Sequence, residues 1–329
     1  MIATELQEEV EQIQRRPGSV SVVVPSYNHA PFVEASLRSI MKQTLPPAKL
    51  LVIDDGSTDD SPAIIERALR DCPFACEFIA RENRGLSATL NEGFARVGGD
   101  YFAYLGSDDI WLPDFLEARV SLLESRQKAV LAYGHAYYID DKNRVIDSTS
   151  DWAQYVDGDV RQMLLQTIGP MSPTVVYRRN ALEREGWNEE SRLEDYDLYL
   201  RLSELGEFAF DRRILSAWRR HGSNVSWDQA LMLDEQLKAQ RTAALRFGFT
   251  DKQVETLQTS TRFNRAEDFL RLGHKSEAWR LITRNLQGAN SPRATARMLF
   301  RLLIPNSFMR GRARARQQKA CERYGTIDV

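Results

Sequence analysis

The chain has 329 residues, 43% of them hydrophobic and 27% charged, and a formal net charge of −2. That length can bury a large core and predicts one main domain plus an extension. The near-neutral sum gives no sign of nucleic-acid binding, and no apolar run approaches the roughly 20 residues that cross a bilayer.

The polar, acidic N-terminus does not read as a secretory signal. The three cysteines, Cys72, Cys76 and Cys321, neither form an even framework nor show zinc spacing. A reduced, cytosolic setting is expected, with the thiols as small buried hydrophobes.

In chain order, residues 4–16 predict a short amphipathic helix with Leu6, Val10 and Ile13 on one stripe, and Pro17-Gly18 breaks it. Val20–Val24 is a β-branched run and predicts a first core strand. A loop from Pro25 to Ala30 follows, then a helix with Phe32, Ala35, Leu37, Ile40 and Met41 as its apolar face. Leu50–Ile53 predicts a second strand closing on Asp54-Asp55. Gly56–Asp59 leads into a helix capped by Ser or Thr, with acids in its first turn. Cys76–Ala80 predicts a third strand, and a helix opens at Asn83–Ser87 and ends near Gly98-Gly99. Tyr101–Leu105 predicts a fourth strand that stops at Gly106-Ser107-Asp108-Asp109 and re-enters helix through Pro113.

Four strand–helix alternations with short connections predict an α/β fold with a doubly wound, mostly parallel sheet flanked by helices. On such a sheet the strand ends share one edge, so Tyr27-Asn28, Asp54-Asp55 and Ser107-Asp108-Asp109 converge on one crevice. Beyond a helix at 113–126, residues 129–146 predict a hairpin. Thr174–Tyr177 predicts a short strand and Leu193–Leu205 a helix opening on acids. Phe208–Ile214 and Leu215–Arg220 predict the closing strands. From Trp227 onward the pattern is helical alone, and Phe263–His274 with Ala278–Ile282 predicts a helical hairpin of tetratricopeptide style. The predicted division is 1–17, 18–226 and 227–329.

No Gly-rich phosphate loop of the Walker or dinucleotide type occurs. A nucleotide must therefore be gripped by aromatics, carboxylates and a hard divalent cation, which suits a diphosphate. The segments Val22–Asn28, Val52–Asp59, Asn83-x-Gly85-x-Ser87 with Asn91 and Gly93, Leu105–Asp109 and Glu194–Leu198 occur in that order. Together they resemble a family 2 glycosyltransferase of the GT-A fold over roughly 18–226. The resemblance implies inverting transfer of a sugar from a nucleotide-diphosphate donor, usually UDP-linked, with Mn²⁺ or Mg²⁺, onto a glycan or lipid-linked acceptor.

Each motif then has a matching task. Tyr27 can lie against a flat base, while Pro25 and Asn28 fix its loop. Asp54 or Asp55 can accept the imide hydrogen of uracil or cap the turn at Gly56. Arg84 can meet diphosphate charge, and Ser107 belongs to the same nucleotide-binding set. Asp108 corresponds to the family's direct metal ligand, with Asp109 beside it. Gly106, however, stands where the family's motif usually carries its first acid. His221, in Trp218–Ser226, resembles the terminal loop that folds over the diphosphate, as a further metal ligand. Glu194-Asp195 supplies the base for the acceptor hydroxyl: the family's pattern points to Asp195, with Glu194 orienting it or binding acceptor. Met171, Ser172 and Trp187 are expected to border the acceptor pocket.

Between Pro292 and Arg323 basic residues interleave with Met298, Leu299, Phe300, Leu302, Leu303, Ile304, Phe308 and Met309. A basic amphipathic helix pair of this kind suits an anionic membrane surface. A nucleic-acid-binding or solvated tail would share the composition, and lipid-linked acceptors favour the membrane. The expected location is cytoplasmic, peripheral on the inner face of the membrane. Two other readings stand beside the enzyme. One is a noncatalytic nucleotide-sugar-binding or scaffold protein, suggested by Gly106. The other is a metal-dependent phosphoesterase, whose His-rich clusters are missing.

Overall fold

The computed structural model describes residues 18–222 and 229–328. The N-terminal helix expected at 4–16 and the boundary expected near 226 lie outside the described residues.

Hydrophobic β-branched runs become the central strands. β1 (Val20–Ser26) lies between β2 (Lys49–Asp55) and β4 (Tyr101–Tyr104), parallel to both, and β2 pairs in parallel with β3 (Cys76–Arg81). Successive side chains point to opposite faces. Val22 and Val24 therefore enter one core with Leu37 and Ile40 of α1 (Val33–Met41), while Val23 enters the other with Phe102 and Tyr104. The helices α2 (Ser61–Leu69) and α3 (Leu86–Arg96) complete the alternating half.

The second half of the sheet is mixed. β8 (Val176–Arg178) runs antiparallel between β4 and β6 (Ala129–Ile139), whereas β9 (Glu207–Arg219) runs parallel to β6. The strand order is β3-β2-β1-β4-β8-β6-β9-β5, with β5 (Ile110–Trp111) on the far edge and β7 (Val145–Ser148) paired to β6. Because β9 shares the direction of β1, β2 and β4, its carboxyl end reaches the same edge as theirs. That placement brings residues after Arg219 to the crevice.

Several local expectations are corrected. α2 starts at Ser61, with Asp60 as N-cap and no side-chain capping bond, so residues 56–60 form a loop. The two closing strands are one, β9, which runs through the charged stretch at Asp211–Arg213. The strand expected at Thr174 begins at Val176, behind a 3₁₀ turn at Ser172–Thr174. Cys76 is exposed rather than buried.

After α4 (Phe115–Ser125), the short helices α5 (Arg161–Leu165) and α6 (Arg179–Glu185) precede α7 (Glu194–Leu202). The C-terminal region consists of α8 (Gln229–Arg246), α9 (Asp251–Leu272), α10 (Lys275–Arg284), α11 (Pro292–Leu303) and α12 (Asn306–Tyr324). Thr250 and Gln253 form a capping box at the start of α9, and Gly273 at φ 88 ends it. The predicted helical hairpin is therefore present as α9 and α10. Ala243, Ala244 and Val254 join the core on the Tyr104 face, and Phe263, Phe269, Ile282 and Met298 build a separate helical core.

The last described residues return to the sheet. Val145 donates to the Gly325 carbonyl at 3.0 Å and Ile327 to Asn143 at 3.0 Å, while Ile327 packs with Ile139 and Val145. Arg316 pairs with Asp147, and Arg323 and Tyr324 reach Asp151. No helix among the described residues is long and apolar enough to cross a membrane.

Candidate active site

Two loops at the carboxyl edge are stapled together. Asn28, at φ 53, accepts from the Thr58 backbone N–H at 2.8 Å, and its own N–H donates to the Ser57 hydroxyl at 2.8 Å. Asp54 holds Ser57 in turn, accepting from its backbone N–H and its hydroxyl. The left-handed backbone at Asn28, which Asn tolerates better than most residues, carries the chain into His29. There His29 N–H donates to Ser61 and its Nδ1 lies 2.8 Å from the Ser107 hydroxyl.

His29 thereby faces Asp108. Its Nδ1 is 3.8 Å from Asp108 Oδ1, and His221 Nε2 is 2.8 Å from Asp108 Oδ2. One ligand atom from each of His29, Asp108 and His221 lies within 4.8 Å of the others. Burial lowers the pKa of His29, against an opposing pull from Asp108, and so favours the neutral imidazole that binds metals. The His221 ring packs on Phe32 at 5.0 Å, and the Arg219 guanidinium sits over the same phenyl at 4.8 Å. Two imidazoles and a carboxylate fit a first-row divalent cation such as Mn²⁺.

Asp109 turns away from this cluster. Its carboxylate accepts the Arg219 backbone N–H at 2.9 Å, and burial together with the neighbouring Asp108 raises its pKa well above the usual range. It fixes the end of β9 and is not among the three grouped ligand atoms, while Arg219 Nε donates to the Asp108 carbonyl at 2.7 Å. A Cβ at Gly106 would stand 2.9 Å from Asp108 Oδ1 and 3.1 Å from Asp109 Oδ2, so a side chain there would press on both carboxylates. The third corner of the cluster is taken by His29. His29 is not marked in the sequence as a ligand because it lies outside the acidic motif. Its one available signal was its place directly after Asn28.

On the other face, Tyr104 ends β4 and donates its hydroxyl to Asp195 Oδ1. Burial pushes Asp195 up to about 6, against the lowering effect of Tyr104, Ser172 and the nearby Trp187 side chain. Burial and the Asp195 charge push Glu194 up to about 8. The two acids open α7, where the helix dipole favours negative charge. Two carboxyls so placed ionise one after the other near neutral pH, the setting a general base needs.

Residues 21–186, just over half of the chain, match the family described as Glycosyl transferase family 2. The chain belongs to that family. An uncharacterized glycosyltransferase of Nostoc sp. is 29% identical over 169 residues, covering 50% of this chain and 52% of its own length. The chondroitin synthase of Escherichia coli is 29% identical over 213 residues, 64% of this chain but 30% of its own. The chain thus spans about half or less of these two relatives. Among solved structures, S. aureus TarS 1–349 in complex with UDP-GlcNAc superposes with a TM-score of 0.61 at 15% identity, covering 94% of this chain and 93% of that one. The mannosyltransferase PcManGT of Pyrobaculum calidifontis, in complex with GDP-Man and Mn²⁺, gives 0.56 at 16% identity over 98% and 94%. Both share the GT-A type of fold with this family 2 glycosyltransferase.

The remaining expected positions fall around the same edge. Tyr27 is 48% exposed, unusual for so large a ring, while Pro25 lies within β1 opposite Ile53. Asp55 is buried, salt-bridged to Arg81, and accepts the backbone N–H groups of Arg84 (2.9 Å) and Gly85 (2.8 Å). Both acids of the Asp54-Asp55 pair therefore order loops around the crevice. Arg84 extends its exposed side chain near Glu92. Met171 and Ser172 are half-buried, with Ser172 near Asp195, but Trp187 is 3% exposed. Its ring packs on Phe94, Phe102 and Tyr104, so it backs Asp195 and cannot border an open pocket. Asn91 bonds the Trp187 backbone at both N–H and carbonyl, 2.9 Å each, which ties α3 to the segment leading into the acids.

Proposed function

We propose that this chain is an inverting glycosyltransferase that moves a sugar from a nucleotide-diphosphate donor, a UDP-sugar in the first instance, to a hydroxyl of a glycan or lipid-linked acceptor. The supporting observation is that β4 carries both halves of the chemistry: Tyr104 at its end engages Asp195, and Asp108, four residues later, joins His29 and His221. The donor's base stacks on Tyr27, in a loop set by Pro25, Asn28, Asp54 and Asp55, with Arg84 and Ser107 toward the diphosphate. A divalent cation, Mn²⁺ or Mg²⁺, held by His29, Asp108 and His221 would neutralise charge on the leaving diphosphate.

Asp195 takes the proton of the acceptor hydroxyl as its oxygen approaches the anomeric carbon from the side opposite the leaving group. A single displacement needs one base, which is why one ionised carboxylate suffices. Glu194, ionising later, stays protonated at neutral pH and leaves the negative charge on its neighbour. Met171 and Ser172 border the acceptor.

The competing reading of a noncatalytic binding protein rests on Gly106; the His29 corner supports the enzyme by offering a third ligand atom beside Asp108 and His221. The deciding experiment is donor hydrolysis with and without Mn²⁺ in wild type and Asp195→Asn. The base reading expects Asp195→Asn to lose about 10²–10⁴ in rate while still binding UDP; equal rates would refute it. The proposed location is the cytoplasmic face of a membrane, reached through α11 and α12. There Phe300, Leu303 and Phe308 are exposed at 65%, 80% and 56% among basic residues.

A further inference from the structure

We propose that Tyr138, Trp152 and Trp218 form a stacking platform for a pyranose ring of the acceptor, a subsite that rests on the glycosyltransferase reading above. Tyr138 and Trp218 are register partners on β6 and β9, with ring centroids 5.4 Å apart and nearly perpendicular. Trp152 lies against Tyr138 at 6.4 Å and is 50% exposed. The Arg220 guanidinium stands 5.8 Å from the Tyr138 ring. A half-exposed tryptophan beside two further aromatics is costly to leave in water without a task.

The platform's place in the sheet points to the acceptor side. Along β9, Arg219 turns its side chain to Asp108, so the adjacent Trp218 projects from the other face. That other face is the one bearing Asp195. Tyr199, next to the acids on α7, contacts Phe208; Phe208 contacts Tyr133; and Tyr155 packs on both Tyr133 and His135. A register shift between His135 and Tyr137 carries the aromatic row on to Tyr138. The row thus runs from the base to a surface three residues before His221.

A pyranose suits this surface. Its C–H face is apolar and stacks on aromatic rings, while its rim of hydroxyls needs polar partners. Arg220, over the Tyr138 ring, offers one such partner, and the charges of Asp147, Arg271 and Asp268 are near enough to act on the Tyr138 phenol. Asp268 and Arg271 belong to α9, so the C-terminal helices carry charge toward the subsite.

The test uses the full chain with UDP and Mn²⁺. Saturation-transfer NMR is recorded with cellotetraose, chitotetraose and a chondroitin tetrasaccharide, and glycerol 3-phosphate serves as a probe without a pyranose. At least one tetrasaccharide is expected to bind wild type. Trp152→Ala and Trp218→Ala should weaken it at least about fivefold, the loss typical of truncating a binding tryptophan, and Trp152→Phe should restore it. Thermal stabilisation by UDP verifies that each variant is folded. Equal binding in Trp152→Ala, binding of glycerol 3-phosphate alone, or no tetrasaccharide binding at millimolar concentration would overturn the platform. If wild type hydrolyses a UDP-sugar through Asp195 while these outcomes occur, the platform alone falls. If no nucleotide-sugar is bound or hydrolysed, the catalytic reading falls and takes the platform with it.

Discussion

Replacing Tyr104 by Phe removes one hydroxyl from Asp195 and keeps the ring that packs against Trp187. A hydrogen bond to a charged group contributes about 1.5–3 kcal/mol, and one pKa unit corresponds to about 1.4 kcal/mol. Ser172 and Trp187 remain beside Asp195 and soften the loss, so a rise of about one unit is expected, from the lower end of that range. The sign follows from the chemistry: without the donor the ionised form is less favoured, and a higher pH is needed to produce the base. The assay is kcat/KM for sugar transfer between pH 5 and 9. The acid limb should move from about 6 up by about one unit, with the rate at pH 6 falling about fivefold, approaching tenfold at lower pH, and recovering at alkaline pH. A stationary limb, or a loss uniform across pH, would refute the role of Tyr104 as the group that sets Asp195.

Glu194→Gln tests the same pair through stability. The folded value of about 8 lies above the ordinary 4.5, so the stabilisation present at low pH is lost as pH rises through that window. Thermal melts from pH 5 to 9 should decline in wild type and decline less steeply in the variant, where the raised values of Asp195 and Asp109 still act. His29→Ala and His221→Ala should each weaken Mn²⁺ binding at least about tenfold, by analogy with the loss of groups that support metal ligands, read by the free Mn²⁺ signal in electron paramagnetic resonance. Gly134→Ala places a Cβ 2.6 Å from the Asp211 carbonyl and against the buried Arg119 guanidinium. It should cost about 1–3 kcal/mol through overpacking, measured by chemical denaturation. Binding to anionic liposomes should be strong at low salt, fall sharply at high salt, and weaken further in a Phe300→Ser, Leu303→Ser double variant; no binding at low salt would reject the membrane surface.

The central strands were legible because β-branched runs such as Val20–Val24 and Leu50–Ile53 can be satisfied only by burial on both faces. Strand β5 was not, because two residues carry no periodicity and Ile110-Trp111 becomes strand only by meeting β9. The charges at Asp211–Arg213 made β9 look divided; in the fold Asp211 is neutralised by Arg119 and Arg213 while the strand continues. At the site, Asp108, His221 and Asp195 announced themselves by motif. Asp109 did not reveal its different task, since adjacent carboxylates are alike in sequence and only the arrival of the Arg219 amide separates them. His29 was hidden for the same reason, its partner being far along the chain.

The return of residues 325–327 to the β6–β7 hairpin gives the C-terminal helices an anchor at their far end. The hairpin they grip also presents Asp151 and its neighbour Trp152. A force on α12, whether from a lipid headgroup or a bound protein, would therefore reach Asp151 and, next to it, Trp152 of the proposed platform. On the proposed function, attachment through α12 and engagement of the acceptor are thereby mechanically coupled.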